Sequence, residues 1–327
     1  MSKQGQRAAK ACPSADPGDG RQQRSRQNGD NYNNAGTKQA DLLEVFGPDE
    51  SGKYDELDPL VSPDYVGHIP FPTRIPGFAG EKEIYAMSRA AMPDVHLTAD
   101  TMIAEGDYVV GRGGVFGTHT GADLFGVPAS GKKLHWTAID IARFEDGQVA
   151  ERWLEANALG LMQQLGLIPT PGDGSTPPEP EPPQVANDSP TTPEQNKAMF
   201  EQFIEVVWNK RNLDFADEVF HSEATSPSAP QLPPGPAGVK VIASMFHTAF
   251  PDYWMKIDFM VAEGDQVAAR FTQGGTHQGD LMGIPPTGKE VKFTEMGILR
   301  WANGKVVESW YEVDMLGMMG QLGLGPG

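Results

Sequence analysis

This chain repeats itself. Ala79-Gly80 recurs as Ala237-Gly238, Pro93-Asp94 as Pro251-Asp252, Ala104-Glu-Gly-Asp107 as Ala262-Glu-Gly-Asp265, and Gly117-Thr-His119 as Gly275-Thr-His277, each time 158 residues later. The second copy then loses one residue. At the new offset of 157, Gly126, Pro128 and Gly131-Lys132 match Gly283, Pro285 and Gly288-Lys289, Trp153 matches Trp310, and Gln164-Leu-Gly166 matches Gln321-Leu-Gly323. Solenoid units run to roughly 50 residues at most, so a period this long means duplication of a whole domain. A length of 327 residues suits two domains of ordinary size.

What lies between and before the copies reads differently. From Pro169 to Pro193 there are nine prolines, and no Lys or Arg falls between Arg152 and Lys197. Such a stretch predicts an extended, semi-stiff linker. The first 40 residues hold seven Lys or Arg against three Asp, a balance of +4, although the whole chain carries −18; the remainder is therefore −22. A basic, apolar-poor start predicts a disordered tail, and so acidic a folded part argues against nucleic-acid binding. The expected boundaries are a tail over 1–37, domains over 38–168 and 192–327, and a linker over 169–191. No apolar run reaches eighteen residues and no signal-like segment opens the chain, so no membrane span and a cytoplasmic protein are expected. A single cysteine, Cys12, offers neither an intrachain disulfide nor a Cys-based metal site.

The second copy shows its elements best. Thr192, Pro193 and Gln195 form a capping-box start, followed by Phe200, Phe203, Ile204 and Val207 at helical spacing. Val239, Ile242, Phe246 and Ala249 mark another helix, stopped before Pro251. Strand-like runs then cover 255–262, 266–273, 290–301 and 306–315, with turns at Gly264-Asp265 and Asn303-Gly304. The first copy has turns at Gly106-Asp107 and Asp146-Gly147, and its opening helix, 38–46, is cut short by Gly47-Pro48. Helices followed by an antiparallel meander predict an α+β class.

The runs at 250–293 (FPDYWMKIDF…TGKEVKF), 303–323 (NGKVVESWYEVDMLGMMGQLG) and 62–80 (SPDYVGHIPFPTRIPGFAG) resemble the SnoaL-like polyketide cyclases, or ester cyclases. The resemblance spans about 40–168 and 192–323. It implies two tandem cone-shaped α+β barrels of the nuclear-transport-factor-2-like kind, each a curved antiparallel sheet wrapped on helices around an apolar pocket. It also implies an apolar, polyketide-like small-molecule ligand, no metal or organic cofactor, and an aspartate that moves protons during an intramolecular aldol cyclisation or an isomerisation. A carboxylate in a dry pocket gains basicity, which makes that chemistry possible near neutral pH. Cones of this superfamily commonly pair as homodimers, so the two copies are expected to pair sheet to sheet within the chain, or the chain to form a homodimer.

The last strand carries the leading candidates. Trp310, Glu312 and Asp314 share one face of it, and Asp314 is expected either as the catalytic acid–base or as the N-cap of a following helix. Its counterpart Asn157 cannot be a base. His68, matching the family's entry histidine, is Ser226 in the second copy. Trp136, Trp153 and Phe293 are expected as pocket wall or core, and Asp140 and Glu295 as pocket acids or solvated strand positions. His119 and His277 suit a turn role. Three readings stay open: a cofactor-free cyclase or isomerase, a non-catalytic binding or scaffolding protein, and an epoxide-hydrolase-like enzyme. The last needs an Asp–Arg–Asp arrangement, for which no arginine suggests itself.

Overall fold

The computed structural model describes residues 36, 38–40, 42, 53–71, 75–169 and 183–324. Residues 1–35 of the expected tail and 170–182 of the expected linker lie outside them. The opening helix of the first domain is described at 36, 38–40 and 42, where Lys38 is buried and its Nζ donates to the Gly106 carbonyl at 2.7 Å and to Asp107 Oδ1 at 2.8 Å.

The first domain runs β1 (Val61–His68), α1 (Phe78–Ala91), β2 (His96–Leu97), β3 (Thr101–Glu105), β4 (Tyr108–Thr118), β5 (Lys133–Glu145), β6 (Gln148–Ala156) and α2 (Ala158–Leu165). The second runs α3 (Pro193–Phe203), continued by one π-type stretch over Ile204–Asn209, then α4 (Ala216–Val219), β7 (Phe220–Thr225), α5 (Pro236–Ala249), β8 (Trp254–Glu263), β9 (Gln266–Thr276), β10 (Glu290–Ala302), β11 (Lys305–Val313) and α6 (Met315–Leu322). The capping box forms as expected: Thr192 Oγ1 accepts from the Gln195 amide, and Gln195 Oε1 accepts from the Thr192 amide. Asp146-Gly147 and Asn303-Gly304 both take positive φ, the requirement of a two-residue type I′ hairpin.

The sheets are ordered β1-β6-β5-β4-β2, with β3 also on β4, and β7-β11-β10-β9-β8. Two expectations are corrected here. The sheets are not wholly antiparallel, because the entry strands β1 and β7 run parallel to β6 and β11. Nor do they close: each is a curved open sheet whose first and last strands do not pair. The last strand also ends at Val313, two residues early, because Asp314 already caps α6.

Most of the repeated motifs turn out to hold this scaffold. Asp94 and Asp252 each accept the amide and hydroxyl of Thr118 or Thr276 at 2.6 and 2.7 Å. Gln164 and Gln321 each pair, strand-fashion, with the backbone of residue 135 or 292. His119 and His277 are fully buried and bridge their loops to Ser130 and Thr287. That fits the turn role expected of them.

The domains meet sheet to sheet, the intrachain pairing expected of a duplicated cone. Ile103, Val110, Ile139, Ile141 and Trp153 form one apolar cluster with Val261, Ala268, Met296, Ile298 and Trp310. Burying each of its Ile, Val and Met side chains contributes about 1.5–3 kcal/mol. The Ala-Glu-Gly-Asp motif seals the rim reciprocally: Glu263 Oε2 accepts the Ala104 amide, and Glu105 Oε2 accepts the Ala262 amide, both at 2.8 Å. Among the described residues no helix is long and apolar enough to cross a membrane.

Candidate active site

Strand pleating decides which residues can form a site. Alternate residues of a strand face opposite sides, and one side of β5, β6, β10 and β11 is taken by the domain interface. Trp153, Glu155, Trp310 and Glu312 all lie on that interface side. Thr137 Oγ1 donates to Glu312 Oε1 at 2.5 Å across the interface, and Thr294 donates to Glu155. The residues between them, Arg152, Leu154 and Ala156, face the hollow of the first domain.

That hollow is a cavity of about 190 Å³. Its walls are mainly apolar, with Phe71, Trp136, Met102 and Leu154 among them. Four polar residues converge at one side. Glu81 and Tyr85 sit one turn apart on α1, Asp140 is mid-way along β5, and Arg152 is its diagonal neighbour on β6. Arg152 lies between two carboxylates: its Nε is 2.9 Å from both Asp140 oxygens, its Nη2 2.5 Å from Asp140 Oδ2, and its Nη1 2.5 Å from Glu81 Oε2. The same Nη1 donates to the Tyr85 hydroxyl at 2.8 Å, and Tyr65 donates to Glu81 Oε1. Gly67 makes room, since a Cβ there would run into Glu81 Oε1.

Burial sets the charges. It pushes Asp140 above the ordinary carboxylate range, against the pull of Arg152. Burial also works against the Arg152 charge, but Asp140, Tyr85 and Glu81 outweigh it and keep the guanidinium protonated. Tyr85 is driven well above its usual value, again mainly by burial, and so stays a neutral donor. Two carboxylates, a cation and a phenol facing an apolar cavity can take up a proton and stabilise a developing oxyanion.

The second domain has none of this. At the positions of Glu81, Tyr85, Asp140 and Arg152 it carries Val239, Ala243, Gly297 and Ser309. Where the first domain has Ser88, Val95, Gly113 and Leu154 it has Phe246, Tyr253, Phe271 and Tyr311, which are packed in or against its core. The ring of Tyr311 lies over Gly297, 2.7 Å from where a Cβ would stand, in the volume that the Asp140 side chain takes in the other cone. This hollow is filled by its own side chains.

A family model described as SnoaL-like polyketide cyclase matches residues 40–165 and again 198–322. The chain belongs to that family. Among solved structures it is similar to TsrD from Streptomyces laurentii (26% identity, TM-score 0.39, covering 41% of this chain and 98% of that one). It is also similar to AclR from Streptomyces galilaeus, named as a hydroxylase (29%, 0.38, 42% and 89%), and to IdmH from Streptomyces antibioticus, named as a polyketide cyclase (29%, 0.35, 39% and 99%). No curated protein matches.

Against this SnoaL-like frame the residues singled out from the sequence scatter. Trp136 and Asp140 line the first cavity; Asp140 is ion-paired rather than a solvated strand position. Asp314 is a helix cap: its Oδ1 accepts the Gly317 amide at 2.8 Å, as Asn157 Oδ1 accepts the Gly160 amide, also at 2.8 Å. Trp153, Trp310 and Glu312 belong to the domain interface, because a one-residue change of parity separates them from the cone-facing set. His68 is half exposed, bonded to Glu151 at 2.9 Å and stacked on Trp153, and it does not line the cavity. Phe293 and Glu295 point into the filled cone, where Glu295 Oε2 accepts from Gln273 at 2.7 Å and burial pushes it up to about 7.

Glu81, Tyr85 and Arg152 were not singled out from the sequence. A signal for them existed: they lie at positions where the two copies disagree. Among the described residues no group of three or more His, Cys, Asp or Glu is placed to hold a metal ion.

Proposed function

We propose that the first domain is the catalytic half of a SnoaL-like enzyme and the second its non-catalytic partner. The substrate is an apolar, polyketide-like molecule, held in the first cavity against Trp136 and Phe71. The reaction is acid–base chemistry at carbon, an intramolecular aldol cyclisation or an isomerisation. Asp140 takes the proton α to a carbonyl, the Tyr85 hydroxyl and Arg152 stabilise the enolate oxygen, and Asp140 returns the proton to the product oxyanion or carbon. Glu81, anchored by Tyr65, fixes the other side of the guanidinium. The observation that carries this reading is the Asp140–Arg152–Glu81–Tyr85 group, present in the open cone and erased from the filled one.

The test is turnover of polyketide-derived ketones by Asp140→Asn. The expected loss is at least 100-fold in kcat, with the melting temperature within a few degrees of the parent; unchanged turnover refutes the assignment. Binding without turnover by the parent supports the binding-protein alternative.

One observation favours a second reaction in the same cavity. An acid–Arg–acid arrangement, missing from the sequence reading, is present as Asp140–Arg152–Glu81. It suits epoxide hydration: a carboxylate takes a proton from water as its oxygen attacks carbon, the carbon–oxygen bond breaks, and a carboxylic acid protonates the departing oxygen. Labelled water separates the two readings. Hydration leaves one solvent oxygen in the product, whereas cyclisation or isomerisation leaves its mass unchanged.

A further inference from the structure

At the domain interface two carboxylates are buried, one from each domain, and among the described residues no cation is bonded to either. Glu155 on β6 and Glu312 on β11 are equivalent positions of the two copies and each is 5% exposed. Each carboxylate accepts one hydroxyl from the opposite domain, Thr294 for Glu155 and Thr137 for Glu312. One hydroxyl satisfies little of a carboxylate's acceptor capacity, and an ionised carboxylate shut away from water is costly.

The surroundings add repulsion as well as relief. Asp314, just beyond β11, acts against a charge on Glu155, and Glu155 acts against one on Glu312 and on Glu295 of β10. Opposing charge comes from Arg270 on β9, which is bonded to Asp258, and from Arg112 on β4, which is bonded to Asp100 at 2.9 Å and lies over the Trp310 ring at 5.3 Å. Burial outweighs both arginines.

We infer that Glu155 and Glu312 form a proton-operated lock between the domains: protonated, the pair lets the sheets stay closed; deprotonated, it drives them apart. Each neutral carboxyl keeps its threonine contact and loses its repulsion. The sign follows from where the groups titrate. Burial holds Glu155 near 7 and Glu312 near 8, above the ordinary 4.5. The closed form therefore binds protons that an open, hydrated form releases. The stabilisation is complete below about pH 4.5 and is lost as pH rises through 7 to 8. With both groups ionised on opening, the opening constant rises by up to about 100-fold per pH unit between about pH 4.5 and 7, and more slowly as each group ionises in the closed form.

Small-angle scattering of the full chain between pH 6 and 9 tests this. The expected result is a compact particle at pH 6 whose radius of gyration grows as pH rises towards 9, while the Glu155→Gln/Glu312→Gln double variant stays compact throughout. Glu295 titrates in the same range but faces the second cone, so Glu295→Gln should leave the transition in place. A parent that keeps one radius from pH 6 to 9, or a double variant that opens as the parent does, overturns the lock. If the double variant does not fold, infrared titration in the Glu295→Gln background decides. With Asp140→Asn added to remove the other buried carboxyl, a protonated-carboxyl band that disappears between pH 7 and 8 supports the lock, and absence of that band at pH 6 overturns it.

Discussion

Asp314 and Asp140 show how little residue type says about role. Asp140 lies within a strand and Asp314 just past one, in the same family fold. Asp314 spends its carboxylate on the first turn of α6, and Asn157 does the same job in the first domain. Asp314→Asn should therefore leave stability and turnover nearly unchanged, whereas Asp314→Ala should lose about 1 kcal/mol of unfolding free energy in urea titration with activity intact. Asp140 is different because the sheet hides it and an arginine holds it. Arg152→Met should leave two buried carboxylates without their cation, and a destabilisation of about 3–5 kcal/mol is the expected chemical-denaturation result. The double variant Arg152→Met/Glu81→Met, which removes the burden of one carboxylate, should recover part of that loss.

At the scale of elements, the sequence displayed some things plainly and hid others. Capping box, hairpin dipeptides and helix faces were all legible, because each is a local pattern with a local cause. The order of helices and strands followed from them. Parity of the last strand was not legible. Trp310, Glu312 and Asp314 alternate correctly, but alternation does not say which side is the hollow and which is the interface, and here the conspicuous tryptophan faces the other domain. The site stayed hidden for a related reason. Glu81 and Tyr85 are on a helix, Asp140 and Arg152 on two strands, and only the curvature of the sheet brings them together. Matches between copies marked scaffold instead: Asp94 with Thr118, Gln164 with β5, Glu105 with β8. The reciprocal glutamates give an element-scale prediction. Glu105→Ala and Glu263→Ala should each weaken the domain contact by about 1–3 kcal/mol, since each removes an acceptor from a part-buried amide. A double-mutant cycle on thermal unfolding checks this, and a coupling energy is expected because each glutamate bonds the residue beside the other.

Across the whole molecule, the two copies have diverged around a shared interface. Both copies keep the interface, down to the threonine–glutamate pairs, whereas only the first keeps a hollow with charged groups in it. With that face occupied within the chain, the protein should run as a particle of 35.3 kDa in light-scattering chromatography at pH 6; a stable dimer would mean a second surface is at work. The central claim is that one cone is a site and the other is filled, and ligand occupancy tests it most directly. Crystals soaked in 2-tetralone, an apolar ring ketone small enough for about 190 Å³, should show density in the first domain between Trp136 and the Asp140–Tyr85 side, and none within the second. Density inside the second cone, or in neither, would contradict the account.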